Sequence, residues 1–327
     1  MALFFENFLN VSNQVLILFL LMAVGFVCGK TKIINSETAK HISDFCLKFT
    51  TPCVIIRSFL SSKLNPDASV NGLFWGLFAA IICHIIAVLF AQLVFRDKNP
   101  DRKALFRSSA SLSNAGFMGM PLQAALLGSI GEFYGATFIV VMSFTLWTYG
   151  FVTMSSGTEK MSLKKAIINP AVIAIIIGLP LFLFLPNSFV SNTDGFFYKT
   201  IYTTISHIAN CNTPIPMIIV GYYLSQSRIL DSLKDAKCML SIFSKLVIIP
   251  FICIAVLYGS IKLGLPLDAN IFRASIISIS TPIAVAVTMF AAKFDGETAL
   301  GANMASVSTL LSIITMPIIV ATAMTLV

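Results

Sequence analysis

The segments SLSNAGFMGMP (residues 111–121) and SISTPI (residues 278–283) each interrupt an apolar stretch with small polar residues and proline, and the first also contains two glycines. Proline has no backbone N–H and disfavours α-helical geometry in the residue before it, and glycine is a poor helix former. We therefore expect broken helices here, with the breaks at Gly119 and Pro121 in the first segment and at Pro282 in the second.

The chain around these segments is strongly apolar. Hydrophobic residues make up 57% of the 327 residues and charged residues 11%, against roughly 25% charged in an ordinary soluble domain. The mean hydropathy is +0.89. Apolar runs recur from end to end, and each, with its flanks, approaches or exceeds the roughly 18 to 20 residues that cross a bilayer. This composition argues against a soluble domain and predicts an all-α integral membrane protein.

Cutting the chain at its polar and turn-rich stretches predicts ten transmembrane helices. The fourth and fifth are separated only by a short turn at residues 128–133, but each keeps enough residues for its own crossing. The segment Met1–Asn13 contains Glu6 and no Lys or Arg, unlike the positive start of a secretory signal, so the first run is interpreted as a retained helix. The predicted spans are 13–29, 40–61, 71–95, 104–129, 131–155, 167–185, 200–226, 237–262, 270–292 and 298–326.

The distribution of Lys and Arg predicts the orientation. With alternating crossings, fifteen of the 22 basic residues fall on one side and five on the other. The richer side is cytoplasmic by the positive-inside rule, so both termini are expected outside the cytoplasm. The net charge of +8 is mostly this topological signal and requires no nucleic-acid partner. Two lysines lie within spans: Lys48 is expected to pair with Asp44 one turn away, and Lys245 to extend to the cytoplasmic interface.

Five crossings per half would invert one half relative to the other. Residues 1–156 are predicted to form the first repeat, 157–166 a cytoplasmic loop, and 167–327 the second repeat. The Ser-x-Ser motifs at Ser113 and Ser280 occupy equivalent helices of the two halves, as do Thr50-Thr51-Pro52 and Asn212-Thr213-Pro214. These two correspondences support a five-plus-five inverted repeat.

Paired broken helices near the bilayer midplane are the best sequence indication of a transporter site, because the exposed N-termini of half-helices attract an anion. No acidic residue lies between Asp101 and Glu132 or between Asp268 and Asp295, where a cation site would need a counter-charge. Amide, hydroxyl and backbone N–H groups suit a carboxylate better, so we predict a small organic anion as substrate. The predicted binding residues are Asn114, Ser113, Gly116, Ser280, Thr281 and Pro282.

Other chemistries have less support. The seven cysteines form no CxxC pair and are interpreted as apolar packing residues, so no metal site or cofactor is predicted. His84 and His207 lie within spans and are candidates for proton coupling, although a hydrogen-bonded packing role is the stronger interpretation. No metalloprotease, hydrolase or phosphate-binding motif occurs, so no enzyme is predicted. An anion channel stays open as an alternative, and an intramembrane enzyme has less support still.

Four segments together resemble the auxin efflux carrier family, which includes plant auxin exporters and bacterial malate or malonate permeases. They are SLSNAGFMGMPLQAALLG (111–128), INPAVIAIIIGLP (168–180), TPIPMIIVGYYLS (213–225) and SISTPIAVAVTMFAAKF (278–294).

The resemblance implies a fold like that of the sodium–proton antiporters and bile-acid symporters, with helices 4 and 9 crossing at their breaks. It implies a scaffold domain of helices 1, 2, 6 and 7, dimerisation through that scaffold, and a transport domain of helices 3–5 and 8–10 that moves as an elevator. The family's substrate-carboxylate asparagine falls on Asn114 and its crossover proline on Pro282. Ser113 replaces the proline of the plant carriers, and their long central loop is reduced to about residues 155–166. The resemblance therefore implies a small carboxylate as the substrate more strongly than auxin. It also implies a bacterial inner membrane as the location.

Overall fold

The computed structural model describes residues 2–155, 168–227, 234–294 and 296–327, so the predicted cytoplasmic loop at 157–166 lies outside the described residues. This part of the chain is helical, apart from one isolated antiparallel bridge between Ser113 and Ile283. The helices are α1 (Ala2–Lys30), α2 (Ser36–Phe45), α3 (Thr51–Ser62), α4 (Val70–Val94), α5 (Pro100–Ser111), α6 (Met120–Thr145), α7 (Phe151–Met154), α8 (Pro170–Phe184), α9 (Asn187–Ser191), α10 (Thr203–Asn210), α11 (Pro214–Gln226), α12 (Ala236–Phe243), α13 (Ile249–Lys262), α14 (Ala269–Ser280), α15 (Val285–Lys293) and α16 (Thr298–Leu326). Five π-helical turns join or extend them, at Cys46–Thr50, Ala115–Gly119, Leu146–Gly150, Phe197–Tyr202 and Ser244–Ile248.

The predicted all-helical architecture is confirmed, and every predicted span overlaps helices in the described residues. Five of the described helical stretches are long and apolar enough to cross a membrane by themselves. Several other spans are divided by breaks into shorter pieces, and α8 is a shorter apolar helix. The arrangement of ten crossings in two inverted repeats stays a prediction. The five long stretches are Ala2–Lys30, Val70–Val94, Ala115–Met154, Ala236–Lys262 and Thr298–Leu326.

Three of the π turns end two residues before a proline. In an α-helix a proline ring clashes with the carbonyl of the residue four positions earlier. In each case that earlier residue belongs to the π turn. The hydrogen bonds of a π turn span five residues, so the backbone is wider at that point. The wider turn lets the helix continue past the proline. The pairs of proline and earlier residue are Pro52 with Lys48, Pro121 with Phe117 and Pro250 with Leu246.

Helix α6 reverses direction at Gly128. This glycine has φ 64° and ψ −147°, a conformation that L-residues with a Cβ rarely adopt. Beyond it, a Cβ added at Gly135 would lie 1.9 Å from Oε1 of Gln123, although a straight helix would separate the two residues by about 18 Å. The two parts of α6 are therefore antiparallel neighbours, and the turn predicted between the fourth and fifth spans is centred on this residue.

Helices α1 and α11 pack with their backbones in direct contact. A Cβ at Gly25 would lie 1.9 Å from the carbonyl oxygen of Ile218, and one at Gly221 would lie 1.9 Å from that of Met22. Small residues allow such close approach, which favours association of helices inside a membrane. The two contacts are reciprocal, so α1 and α11 form a closely fitted pair.

Large apolar side chains cover the outside of the helical bundle. Leu20, Phe74, Ile176 and Ile314 are each at least 60% exposed, although they lie within apolar helices. Contiguous apolar surface of this kind would be unfavourable in water and suits contact with lipid.

Candidate functional site

The two predicted helix breaks lie side by side. Residues 112–114 are non-helical between α5 and the π turn at Ala115–Gly119, and residues 281–284 are non-helical between α14 and α15. The backbone N–H of Asn114 donates to the carbonyl of Pro282 at 2.8 Å, and that of Ala284 donates to the carbonyl of Leu112 at 3.1 Å. The two extended segments therefore satisfy each other's backbone groups, as strands of a sheet would.

The first break lies earlier in the chain than the sequence suggested. Gly119 has helical angles (φ −69°, ψ −51°), and Pro121 occupies the first turn of α6. The prediction of breaks at Gly119 and Pro121 is wrong, because the π turn at Ala115–Gly119 accommodates the proline. Pro282 lies in the non-helical segment 281–284, and Thr281 before it is extended, at φ −64° and ψ 154°.

Four side chains predicted to bind substrate are buried at this crossing, and they differ in their free hydrogen-bonding capacity. The hydroxyls of Ser280 and Thr281 donate to the carbonyls of Ile277 and Ser278, at 3.0 and 2.8 Å, and so satisfy the C-terminal end of α14. Asn114 is 5% exposed, and its Nδ2 has no partner among the described residues. Because a buried amide donor without a partner is costly, Asn114 is the side chain at the crossing best placed to bind an acceptor.

Lys245 is a further polar group of the crossing, and the expectation that it extends to the interface is wrong. Its side chain is 0% exposed. Its ammonium Nζ donates to Oγ of Ser113 at 2.5 Å and to the carbonyl oxygen of Ile279 at 2.9 Å. The lysine reaches inward because the ends of α5 and α14 provide acceptors there. An ionisable residue within an apolar span was the sequence signal for this role.

The orientation of the half-helices makes the crossing electrostatically asymmetric. The π turn that leads into α6 begins at Ala115, and α15 begins at Val285, each directly after the extended segment. Their N-terminal N–H groups and positive dipole ends therefore lie at the crossing. Gly116 is partly buried beside them, and a Cβ there would meet no atom within 4 Å. An anion with acceptor oxygens fits this end of the site.

Asn212 links the crossing to a neighbouring pair of helices. Its Nδ2 donates to the carbonyl of Gly116 at 3.3 Å, and its Oδ1 accepts from the hydroxyl of Thr51 at 3.0 Å. The hydroxyl of Thr50 lies 2.7 Å from the same oxygen. The two motifs that the sequence analysis matched, Thr50-Thr51-Pro52 and Asn212-Thr213-Pro214, are thus in direct contact and hold the π turn of the first broken helix.

A cavity of about 390 Å³ lies beside this link. An ion pair lines it: Arg57 donates from Nη2 to Oε1 of Glu132 at 2.5 Å and from Nη1 to Oδ1 of Asn210 at 2.6 Å. No sequence pattern indicated a role for Arg57, Glu132 or Asn210. The remaining lining residues are Gln14, Ile17, Leu18, Val54, Met120, Pro121, Leu122, Ala124, Ala125, Ala209, Asn212 and Thr213.

The two candidate histidines occupy different environments. His84 is buried in α4, with Nδ1 2.7 Å from the carbonyl of Ala80 and its ring 4.6 Å from that of Phe138. Its Nε2 has no partner among the described residues. His207 in α10 is exposed. The described side chains include no cluster of three or more His, Cys, Asp or Glu residues that could hold a metal.

Comparison with known proteins places the chain among transporters. The model of a family described as "Membrane transport protein" matches residues 10–163 and 156–320. An uncharacterized transporter of Methanothermobacter thermautotrophicus is 20% identical over 318 residues, a match that covers 95% of this chain and 98% of that protein.

Proposed function

The chain belongs to the membrane transport protein family, that of the auxin efflux carriers, and from this premise we propose that it is a secondary transporter for a small organic anion. The proposed substrate is a carboxylate such as malate, malonate or an auxin-like acid. One observation carries the proposal: at the point where two broken helices meet, the buried amide of Asn114 has a donor without a partner among the described residues.

The surroundings of this donor favour a carboxylate. Asn114 immediately precedes the π turn at Ala115, and the N-terminus of α15 begins across the backbone bridge. Anions are stabilised near helix N-termini, where backbone N–H groups lack partners within the helix. Ser113 and Thr281 shape the same site, but their hydroxyls already have partners. A carboxylate oxygen would satisfy Nδ2 of Asn114 with a charge-assisted hydrogen bond.

The proposed mechanism is alternating access of the elevator type. On this proposal, α1 and α11 belong to the static scaffold, and their direct backbone contact makes them suited to that role. The two broken helices belong to the moving domain, which meets the scaffold at the cavity that contains Arg57 and Glu132. A few hydrogen bonds and an ion pair join the two sides there, and polar contacts of this kind can be exchanged between states. The proposal also includes a homodimer formed through the scaffold, in a bacterial inner membrane and with both termini outside the cytoplasm.

Proteoliposomes that contain the purified protein test the proposed function. We expect saturable uptake of at least one labelled carboxylate from a panel of mono- and dicarboxylates, together with counterflow when the same compound is loaded inside. Imposed gradients of pH and sodium would identify any coupling ion. Uptake that neither saturates nor shows counterflow would indicate a channel, and chemical conversion of the compound would indicate an enzyme. Either result would overturn the proposal.

A further inference from the structure

Lys245 is completely buried, and the described residues give its side-chain nitrogen no carboxylate partner. Its ammonium contacts a hydroxyl, that of Ser113, and a backbone carbonyl, that of Ile279. The ion pairs in the described part of the chain involve other residues. Among the described residues, the ionisable groups that interact with Lys245 are His84 and the thiols of Cys83 and Cys253, and none of these is a carboxylate. A buried charge without a counter-charge is expensive, so its retention needs a reason.

The position of the ammonium resembles that of a bound metal cation more than that of a packing side chain. It lies at the C-terminal end of α14, where carbonyl oxygens lack partners within the helix and the dipole is negative. The other acceptor, Ser113, is the residue before Asn114. Hydroxyl and carbonyl oxygens are ligands that a hard cation prefers, and here the ammonium of Lys245 contacts one of each. An ammonium has three N–H donors, and two are used in the described contacts.

We propose that Lys245 is a tethered cation that moves with the substrate anion and balances its charge, so that transport requires no sodium ion at the crossing. The inference rests on the proposed function. Both acceptors of Lys245 belong to the two broken helices, which the proposal assigns to the moving domain. With the ammonium beside it, a monocarboxylate crosses the low-dielectric interior as part of a neutral pair. The positive charge also adds long-range attraction for the anion at Asn114.

The test compares the wild type with Lys245→Gln and Lys245→Met. Glutamine keeps N–H donors for Ser113 and Ile279 without the charge, and methionine removes both the donors and the charge. Lys48→Gln is the matched control, because Lys48 forms an exposed ion pair with Asp44 away from the crossing. Proteoliposomes loaded with a transported carboxylate are assayed for exchange at zero and at inside-negative potential, set by potassium gradients and valinomycin. The assay is repeated with choline in place of sodium.

We expect wild-type exchange to be unchanged in choline. Loss of one positive charge from the moving unit should alter the ratio of exchange rates at the two potentials by roughly fivefold in the Lys245 variants, and Lys48→Gln should keep the wild-type ratio. A sodium requirement in the wild type, or a wild-type ratio in either active Lys245 variant, would overturn the inference. If a folded Lys245 variant does not exchange, the rise in its melting temperature on addition of the carboxylate decides. Loss of this rise supports the inference, and a rise equal to that of the wild type overturns it. A wild type without counterflow of any carboxylate would instead refute the proposed function.

Discussion

Arg57 and Glu132 form a largely buried ion pair with 2.5 Å between Nη2 and Oε1, and it joins α3 to the part of α6 that follows the reversal at Gly128. Removing one partner leaves a poorly solvated charge, whereas removing both leaves neutral polar groups. We expect Arg57→Gln and Glu132→Gln each to lower the melting temperature. The double variant should lose less than the sum of the two single losses. Thermal unfolding in detergent measures this double-mutant cycle. Strictly additive effects would mean that the pair contributes no coupling.

Asn114 is the residue on which the proposed anion site depends. A charge-assisted hydrogen bond contributes about 1.5 to 3 kcal/mol, so Asn114→Ala should weaken carboxylate binding roughly 10-fold to 100-fold. Asn114→Asp keeps the shape but places a negative charge against the anion, so transport should be lost although the protein still reaches the membrane. Proteoliposome uptake and membrane abundance measure these effects. Asn71→Asp, at an exposed position in α4, is the matched control. Normal uptake by Asn114→Asp would place the anion elsewhere.

Gly25 should tolerate no side chain. A Cβ there would lie 1.9 Å from the carbonyl oxygen of Ile218, so α1 and α11 would have to separate. Overpacking of this kind costs about 1 to 3 kcal/mol, and we expect Gly25→Ala to lower the melting temperature by several degrees. Gly259→Ala is the control, because a Cβ there meets no atom within 4 Å and alanine favours the helix. Equal melting temperatures for the two variants would contradict the close fit of α1 and α11.

The predicted orientation can be tested with single cysteines in a cysteine-free background. Cysteine at Ser36 or Asn99 should react with an impermeant maleimide only from the cytoplasmic side, and cysteine at Ser191 only from outside. The split of fifteen basic residues against five is the basis of this expectation. Ser162, in the predicted central loop, lies outside the described residues but should also react only from the cytoplasm. Labelling of Ser162 from outside would contradict the five-plus-five arrangement.

His84 is the better placed of the two candidates for proton coupling, because its buried Nε2 has no partner among the described residues. If it carries a coupled proton, His84→Gln should abolish pH-driven uptake and leave counterflow intact, since exchange needs no net proton movement. Uptake measured under an imposed pH gradient, compared with counterflow measured at equal pH on both sides, distinguishes proton-driven uptake from exchange. His207→Gln, at an exposed position, provides the comparison. Unchanged pH dependence in both variants would leave the histidines as packing residues.

The sequence was sufficient to predict the helical segments and that two of them are broken, because hydropathy and proline act locally. That the two breaks meet was implied only by the family resemblance. It was insufficient where the outcome depended on contacts between distant segments. Gly119 and Pro121 suggested a break, but the π turn at Ala115–Gly119 accommodated the proline. The break formed instead at residues 112–114, whose backbone pairs with residues 282–284. Likewise, Lys245 lies in the first third of its span, from where a lysine can extend outward or inward. Its direction was decided by acceptors at Ser113, just after α5, and at Ile279 in α14, which no local pattern shows.

The bridge between Ser113 and Ile283 also bears on how the chain is made. Its two segments are separated by about half the sequence, so the first broken helix leaves the ribosome and enters the bilayer well before its partner exists. Until then the N–H of Asn114 and the carbonyl of Leu112 lack the partners they have in the finished protein, in surroundings where an unpaired backbone group is costly. Biosynthesis must therefore pass through an intermediate whose first half is inserted but incomplete, and the late arrival of residues 282–284 completes both halves at once.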